Sequence, residues 1–343
     1  MSPLLKTNIN LIMHKIKLGT WLALAAMLMV SCQRMEMTAP GFLVPKTVDQ
    51  DASLPSLTVN GFQLHVESFG DPTDPLLILI HGGPGGDYRS MLQAKDLADD
   101  GFLVVCYDQI GSGLSQRVDA SVLEEPGSLD VYFDNLGSLI DHFQRSDSQK
   151  VFLAGHSWGA MLASGFVNQY PNRVDGLVLG EPGGLTWPQT EEYLSRSNHI
   201  QFFSEALNNA LYPEQMFAGR DEHEVLDYKA AQFTSFENAP GNAIGNAGIY
   251  PFWRNGAVIF NASIDYADTY GLDFTTHLEQ FEPKVLFLYS ELNTAYGREW
   301  AETVAAPYPN SEVLEVKGSG HEMFYFGWQD LYPKMLTYLT QMR

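Results

Sequence analysis

Short apolar runs recur along residues 56–181 and again from residue 284, with intervening stretches that have the spacing of amphipathic helices. Most of the runs contain almost no polar residue, which is typical of strands buried on both faces of a parallel sheet. Predicted strands comprise 56–59, 62–68, 76–80, 102–107, the run from 151, 176–181, 284–289 and 312–316. Predicted helices comprise 88–99, 128–145, 296–305 and a last helix from about 327. The alternation of strands and helices predicts an α/β fold with a mostly parallel, doubly wound sheet.

The pattern changes over residues 185–281, which are rich in aromatic residues and contain no convincing run of buried strands. We interpret this segment as a mostly helical cap inserted after the sixth strand. The first part of the core is then expected over 54–184 and its second part over 282–343, as one large domain.

Residues 1–31 contain three lysines and no acidic residue, and they end in an apolar run from Leu18 to Val30. This run of 13 residues is shorter than the about 20 that span a bilayer, and it suits a secretory signal. Ser31-Cys32 follows it and resembles the lipobox of bacterial lipoproteins. The resemblance implies a lipid on Cys32 and a place in the bacterial cell envelope, at the periplasmic face or the cell surface. An ordinary cleaved signal and an uncleaved anchor are the alternatives.

Residues 32–53 contain two prolines and a glycine and are interpreted as a tether between anchor and domain. The chain has a formal net charge of −21, and removal of residues 1–31 leaves 17 basic against 41 acidic residues, a charge of −24. Such a surface disfavours nucleic acid and anionic headgroups and suits a neutral or cationic ligand. Cys106 is the only cysteine besides Cys32, so we expect no disulfide and a buried Cys106.

The run from Val151 leads into Gly155-His156-Ser157-Trp158-Gly159, after which small and apolar residues follow at helical spacing. This pattern predicts a strand, a sharp turn with Ser157 at its apex, and a helix, which together form a nucleophile elbow. Gly155 and Gly159 are expected where any side chain would collide with a neighbouring strand or helix. The turn raises the Ser157 hydroxyl above the strand ends and points the first helical amides at the reacting atom.

His321 lies after the last predicted strand, in the chain order nucleophile and then histidine, with an acid expected between them. A neutral imidazole there can take the Ser157 proton and return it to the leaving group. His321-Glu322 also begins a zinc-binding pattern, but Tyr325 stands where the second histidine would be, so neither a metal nor another cofactor is implied. His81 and His156 are interpreted as structural, hydrogen-bonded histidines.

The glycine-rich run His81–Gly86 directly follows a buried strand. It is not followed by Gly-Lys-Ser/Thr, which argues against a nucleotide loop. Backbone amides exposed at a strand end suit an oxyanion hole, in which Gly83 and Trp158 would donate their N–H groups.

Three motifs, residues 81–86, Asp108-Gln109-Ile110-Gly111-Ser112-Gly113-Leu114-Ser115 and residues 155–159, together resemble the proline iminopeptidase branch of the α/β-hydrolase fold over about residues 56–340. We expect the second motif to brace the floor of the site. The resemblance implies release of an N-terminal residue, often proline, from short peptides, with acids of the cap binding the substrate ammonium. Candidates for those acids are Glu191, Glu192, Glu205, Glu214 and Glu237.

The resemblance places the triad acid just after the strand at 284–289, but Asn293 occupies that position. An amide can orient an imidazole but cannot balance its charge, and the comparable loss in serine proteases costs roughly 10⁴ in turnover. Three alternatives follow. Glu181, at the end of the preceding sheet strand, supplies the carboxylate, which we favour; Glu291 is shifted into place; or the enzyme is weak or inactive.

We therefore predict a serine hydrolase that acts on a small peptide or amide through an acyl-enzyme on Ser157. An esterase or lactonase of the same fold and a catalytically silent binding lipoprotein are the alternatives. Epoxide and haloalkane chemistry is disfavoured, because those relatives carry aspartate where Ser157 stands. The oligomeric state and the substrate remain open.

Overall fold

The computed structural model describes residues 39–197, 219, 221–237 and 242–343. Within them eight strands form one sheet in the order β1-β2-β4-β3-β5-β6-β7-β8. Strand bounds are Ser56–Val59 (β1), Phe62–Phe69 (β2), Leu76–Ile80 (β3), Leu103–Tyr107 (β4), Val151–His156 (β5), Gly176–Gly180 (β6), Val285–Ser290 (β7) and Ser311–Val316 (β8). The pairs β1–β2 and β2–β4 are antiparallel and the other five are parallel. The predicted mostly parallel sheet is thereby confirmed.

The central strands are buried along their whole length because helices cover both faces of the sheet. Every residue of β3 to β7 is buried. Alternate residues of β3 enter different cores: Leu76 and Ile78 pack in one apolar cluster, and Leu77 and Leu79 in the other. The near-continuous apolar runs in the sequence follow from this burial on two sides.

The longer α-helices of the described residues are Asp130–Phe143 (α1), Trp158–Gln169 (α2), Trp187–Ser197 (α3), His223–Glu237 (α4), Ala257–Tyr270 (α5), Gly297–Ala305 (α6) and Trp328–Met342 (α7). A short helix, Met323–Phe326, precedes α7. The predicted helix at 88–99 is a 3₁₀ helix over Tyr88–Asp100. Its start is capped by the Asp87 side chain, which accepts the Arg89 N–H, and its end by Gly101 at φ 82°. Helices α3, α4 and α5 lie between β6 and β7, within the segment interpreted as a cap.

The segment interpreted as a tether packs against the domain in its described part. Val44, Thr47 and Val48 are buried, and the Val48 N–H donates to the Leu114 carbonyl at 2.8 Å. Hydrogen bonds to core and cap fix this backbone, so it does not behave as a free linker there. Cys32 and the apolar run before it lie outside the described residues. Over the part of the chain that is described, no helix combines the length and apolarity needed to cross a bilayer.

A buried ion pair ties the cap to the core. Arg254, in the loop that leads into α5, donates from Nε to Asp227 Oδ2 of α4 at 2.7 Å. Arg117 of the core donates from Nε to the same oxygen at 2.8 Å. The second Asp227 oxygen accepts the Ala257 N–H at 2.9 Å. A carboxylate shared by two guanidinium groups and a helix amide fixes α4 and α5 against the core, because breaking such a buried network is costly.

The turn between β5 and α2 leaves no room for side chains on its glycines, as predicted. A Cβ on Gly155 would lie 2.4 Å from the Gly159 carbonyl oxygen, and a Cβ on Gly159 would lie 2.0 Å from the carbonyl oxygen of Ile80. Both obstacles are backbone atoms, which cannot rotate away. The helix α2 therefore starts in direct backbone contact with the ends of β3 and β5.

We expect Gly159→Ala to lower the free energy of unfolding by roughly 3 kcal/mol or more, at the upper end of overpacking costs, because the backbone of β3 must shift. Thermal unfolding followed by circular dichroism checks this. Gly248→Ala is the matched control, since nothing lies within 4 Å of a Cβ added there. Equal stability of the two variants would contradict the backbone contact described above.

Candidate active site

Ser157 stands at the apex of the turn, directly before α2. Its backbone has φ 52° and ψ −119°, in a region that L-residues rarely adopt. The Ser157 N–H donates to the Gly180 carbonyl at 2.7 Å, so the end of the neighbouring strand β6 holds the strained residue. The predicted strand, turn and helix are all present, with the hydroxyl at the carboxyl edge of the sheet.

His321 lies on the loop that follows β8, and its backbone is hydrogen-bonded to the segment interpreted as a cap. The His321 N–H donates to the carbonyl of Ile244 at 2.8 Å. His156, the residue before Ser157, donates from Nε2 to the His321 carbonyl at 2.8 Å. This hydrogen bond places the His321 loop beside the nucleophile elbow.

The His321 imidazole is hydrogen-bonded to the carboxylate of Glu181. His321 Nδ1 lies 2.7 Å from Glu181 Oε2. A carboxylate oxygen only accepts, so Nδ1 carries the proton in the neutral ring and Nε2 keeps a lone pair. Burial acts to lower the pKa of His321, but the hydrogen bond and charge of Glu181, together with the charge of Glu322, outweigh it. The pKa of His321 therefore lies above its ordinary value.

Glu181 is held by the strand end beside it. It directly follows β6, adopts φ 44° and is fully buried. Its own N–H donates to the Leu288 carbonyl at 3.0 Å. Oε1 accepts the Ser290 N–H at 2.7 Å and the Ser290 hydroxyl at 2.6 Å, and Oε2 also accepts Asn293 Nδ2 at 2.8 Å. Donors from the end of β7 thus satisfy a carboxylate that comes from β6.

Asn293 and Glu291, the other two residues considered for the acid, lie in different surroundings. Asn293, which occupies the position where the resemblance expected an acid, hydrogen-bonds the Glu181 carboxylate. Glu291 is exposed, and its Oε2 accepts the Gly318 N–H in a surface turn at 2.8 Å. Of these three residues, the structure brings only Glu181 against the His321 imidazole.

Tyr193 of the cap helix α3 joins this group, which the sequence analysis missed. Its hydroxyl lies 3.4 Å from His321 Nδ1 and accepts Asn293 Nδ2 at 3.3 Å. Burial, and after it the charge of Glu181, raises the pKa of Tyr193, so the phenol stays neutral. The cap sequence contains many aromatic residues, and nothing in their spacing distinguishes this one.

The glycine loop lies directly against Ser157. A Cβ on Gly82 would lie 3.2 Å from the Ser157 Cβ. Gly83 has φ 134° and precedes a cis bond to Pro84. Trp158 is the first residue of α2, where the amides have no partner within the helix. The loop that contains Gly83 and the first turn of α2, which contains Trp158, therefore both lie next to Ser157.

The motif at 108–115 braces this loop. His81 Nε2 accepts the Gln109 N–H at 3.0 Å, and His81 Nδ1 lies 2.7 Å from the Gly82 carbonyl, to which it donates. The Gln109 side chain donates to the His81 carbonyl at 2.8 Å and accepts Trp158 Nε1 at 3.1 Å. Burial lowers the pKa of His81, which keeps the ring neutral and this tautomer fixed. His81 is structural in this arrangement, as interpreted from the sequence.

Asp108 anchors the same motif from below. Its carboxylate accepts the N–H groups of Tyr88 and Leu114 at 3.0 and 2.8 Å and contacts His65 Nδ1 at 2.8 Å. A Cβ on Gly113 would lie 2.2 Å from this carboxylate, which explains a glycine at φ 50°. The buried carboxylate ties β2, the 3₁₀ helix and the 108–115 loop into one rigid floor.

Two of the five candidate acids of the cap have side chains within the described part of the chain. Glu191 is exposed, and Glu192 is exposed and pairs with Arg196 one turn away. Glu205 and Glu214 lie outside the described residues, as does the side chain of Glu237. Among the described residues, no group of three metal-ligating side chains is arranged to hold a metal ion.

Comparison with known proteins bears on the fold and on the chemistry. A family model described as serine aminopeptidase, S33, matches residues 71–240. The chain is 30% identical over 163 residues to a proline iminopeptidase of Thermoplasma volcanium, across 47% of this chain and 49% of that protein. It is also 30% identical over 176 residues to epoxide hydrolase 1 of Caenorhabditis elegans, across 48% of this chain and 39% of that protein. The chain thus spans about half or less of these relatives.

Among solved structures, the proline iminopeptidase of Mycobacterium smegmatis superposes with a TM-score of 0.54 at 17% identity, covering 84% of this chain and 98% of that one. At this identity the likeness concerns the fold alone. Together with the strand order and the elbow, these similarities establish that the chain has the α/β-hydrolase fold.

Proposed function

We propose that this protein is a serine hydrolase that releases N-terminal residues, proline or similar, from short peptides through an acyl-enzyme on Ser157. The observation that carries the proposal is the 2.7 Å contact between His321 Nδ1 and the buried Glu181 carboxylate, on a loop that His156 ties to the nucleophile elbow. An imidazole held in this way presents Nε2 as a base. An aspartate at the elbow, as in epoxide hydrolases, would form an ester without needing its own deprotonation, whereas a serine needs this base.

In the proposed reaction, His321 Nε2 takes the Ser157 proton as Oγ attacks the substrate carbonyl carbon. The oxyanion of the tetrahedral intermediate accepts the N–H groups of Gly83 and Trp158. As the C–N bond breaks, the imidazolium returns the proton to the leaving amine. Water then enters, loses a proton to His321, attacks the ester and releases the acid, while Ser157 regains its proton. Glu181 stabilises the imidazolium at both stages.

Support for a peptide substrate comes from charge and similarity. The chain carries a net charge of −21, which favours approach of a cationic amine over an anionic ligand. The match to the serine aminopeptidase family model and the partial similarity to a proline iminopeptidase also support a peptide substrate. The ammonium partner within the cap is part of the proposal, with Glu205, Glu214 and Glu237 as its candidates. So is the lipid on Cys32, which would hold the enzyme in the cell envelope.

A fluorophosphonate probe tests the serine hydrolase directly. The purified chain is expected to gain one probe mass on Ser157, because only an activated hydroxyl displaces the fluoride. Intact mass and peptide mapping check the site, with Ser157→Ala as the control. Folded wild-type protein that stays unlabelled would overturn the proposed function and favour a silent binding protein.

Removal of the Glu181 charge tests whether Glu181 is the acid that stabilises the His321 imidazolium. Glu181→Gln is expected to lower turnover by roughly 10³- to 10⁴-fold, because the imidazolium loses its counter-charge. Asn293→Ala removes one donor to the carboxylate and is expected to cost about tenfold or somewhat more. Initial rates on one chromogenic substrate measure both.

The matched control for this pair is Glu291→Gln, which removes an exposed carboxylate from the neighbouring loop and is expected to leave the rate within about twofold. Similar losses in the Glu181 and Glu291 variants would contradict the assignment of the acid.

Substrate preference is tested by comparing a proline arylamide, its N-acetylated form and a short acyl ester. Turnover of the free amine and a loss of about 100-fold or more on acetylation are expected, because acetylation removes the ammonium that the acidic cap would bind. Steady-state kcat/KM is the measurement. Fast ester hydrolysis with no cleavage of any free-amine arylamide would replace the peptidase with an esterase.

A further inference from the structure

Glu322, next to His321 in the chain, is a buried carboxyl group that the proposed mechanism does not use. Its side chain is mostly buried, and Oε2 has no hydrogen-bond partner. His156 Nδ1 lies 3.9 Å from Oε2, beyond hydrogen-bonding distance. A buried polar atom without a partner is destabilising, so this arrangement calls for an explanation.

The tautomer of His156 supplies one. His156 Nε2 lies 2.8 Å from the His321 carbonyl oxygen, which can only accept, so Nε2 carries the proton. Burial, and after it the neighbouring His321, holds the pKa of His156 well below its ordinary value. The ring is therefore neutral, and Nδ1 presents a lone pair towards Glu322. An ionised carboxylate and a lone pair repel each other, whereas a protonated carboxyl can donate to Nδ1.

We propose that Glu322 is a positioning residue: in its neutral form it donates to His156 Nδ1, and the chain Glu322–His156–His321 carbonyl holds the catalytic loop against the elbow. The inference rests on the proposed function. A side-chain rotation that closes the 3.9 Å separation to about 2.8 Å completes the bond. His156 also reaches the oxyanion loop, since a Cβ on Gly82 would lie 3.3 Å from its Nδ1. The His321 loop and the glycine loop thus both lie against the His156 ring.

The surroundings favour the neutral carboxyl up to about pH 7. Burial raises the pKa of Glu322 to about 7, with His321 acting in the opposite direction and Glu181 in the same one. The titratable groups that face Glu322 are His156 at the end of β5, His321 on its own loop, Glu181 after β6 and Tyr193 of α3. The backbone N–H of Glu322 donates to Asn246 Oδ1 at 2.8 Å and fixes the residue in place.

Ionisation of Glu322 then affects the base. A second negative charge beside His321, in addition to that of Glu181, stabilises the imidazolium and raises its pKa. The base works only when neutral, so the acidic limb of the pH profile lies at higher pH when Glu322 is ionised. Glutamine cannot ionise but keeps an N–H donor for His156. With a pKa of about 7, Glu322 is partly ionised over this limb, so Glu322→Gln should move the limb to lower pH.

The test is the rate of Ser157 labelling by a fluorophosphonate between about pH 5 and 9, measured on the full chain without reference to any substrate. Glu322→Gln is expected to shift the acidic limb down by roughly half a pH unit or more, which corresponds to about threefold faster relative labelling on the acidic side. Glu291→Gln, which removes an exposed charge nearby, should superimpose on the wild type. A Glu322→Gln profile identical to that of the wild type overturns the inference.

Glu322→Met separates the hydrogen bond from the charge. This variant cannot ionise, so its acidic limb should lie at the same pH as that of Glu322→Gln. It lacks the N–H donor to His156, so Ser157 should be labelled about tenfold more slowly than in Glu322→Gln at every pH. Equal rates in the two variants overturn the positioning role. If neither variant folds, the ¹³C shift of the wild-type Glu322 carboxyl carbon decides: a midpoint near 7 supports the inference, and one near the ordinary 4.5 overturns it. Absence of labelling in the wild type would instead refute the proposed function.

Discussion

The hydrogen bond between Glu181 and His321 is the interaction on which the site depends, and the parallel sheet makes it possible. Neighbouring parallel strands end at the same edge. β5 leads into Ser157, the proposed nucleophile, β6 leads into Glu181, and β7 ends at Ser290, which donates to the Glu181 carboxylate. A buried carboxylate is costly unless its oxygens are satisfied. Here Ser290 at the end of β7 supplies two of the hydrogen bonds, Asn293 in the following loop a third, and His321 the fourth.

A second requirement is that the backbone around Ser157 stays rigid. The elbow is strained at φ 52° and holds its shape because Gly159 brings α2 into contact with β3. Gln109 connects the indole of Trp158 to the backbone of His81, and His81 connects to the glycine loop. The helix amide and the loop amide that would stabilise an oxyanion are thereby fixed before any substrate binds, which is the condition for electrostatic catalysis.

The sheet, the elbow and the floor could be predicted because each has a local signal: continuous apolar runs, glycines at fixed spacing and a loop motif. The acid was harder, because Asn293 and Glu181 are far apart in sequence and only the pairing of β6 with β7 shows that they act together. Tyr193 could not be foreseen, since its position near His321 arises from packing alone. Glu322 follows His321 in the chain, but its burial opposite His156 has no signal in the sequence. The 3₁₀ geometry of Tyr88–Asp100 also has no signature in its apolar spacing.

The central claim is that the Glu181 carboxylate, rather than Asn293 or Glu291, binds the imidazole. The proton on His321 Nδ1 reports this directly, because a strong hydrogen bond to a buried carboxylate moves its NMR resonance far downfield and protects it from exchange. We predict such a resonance in the wild-type protein and in Glu291→Gln, and its loss in Glu181→Gln. Its absence from the wild type, or its persistence in Glu181→Gln, would contradict the account.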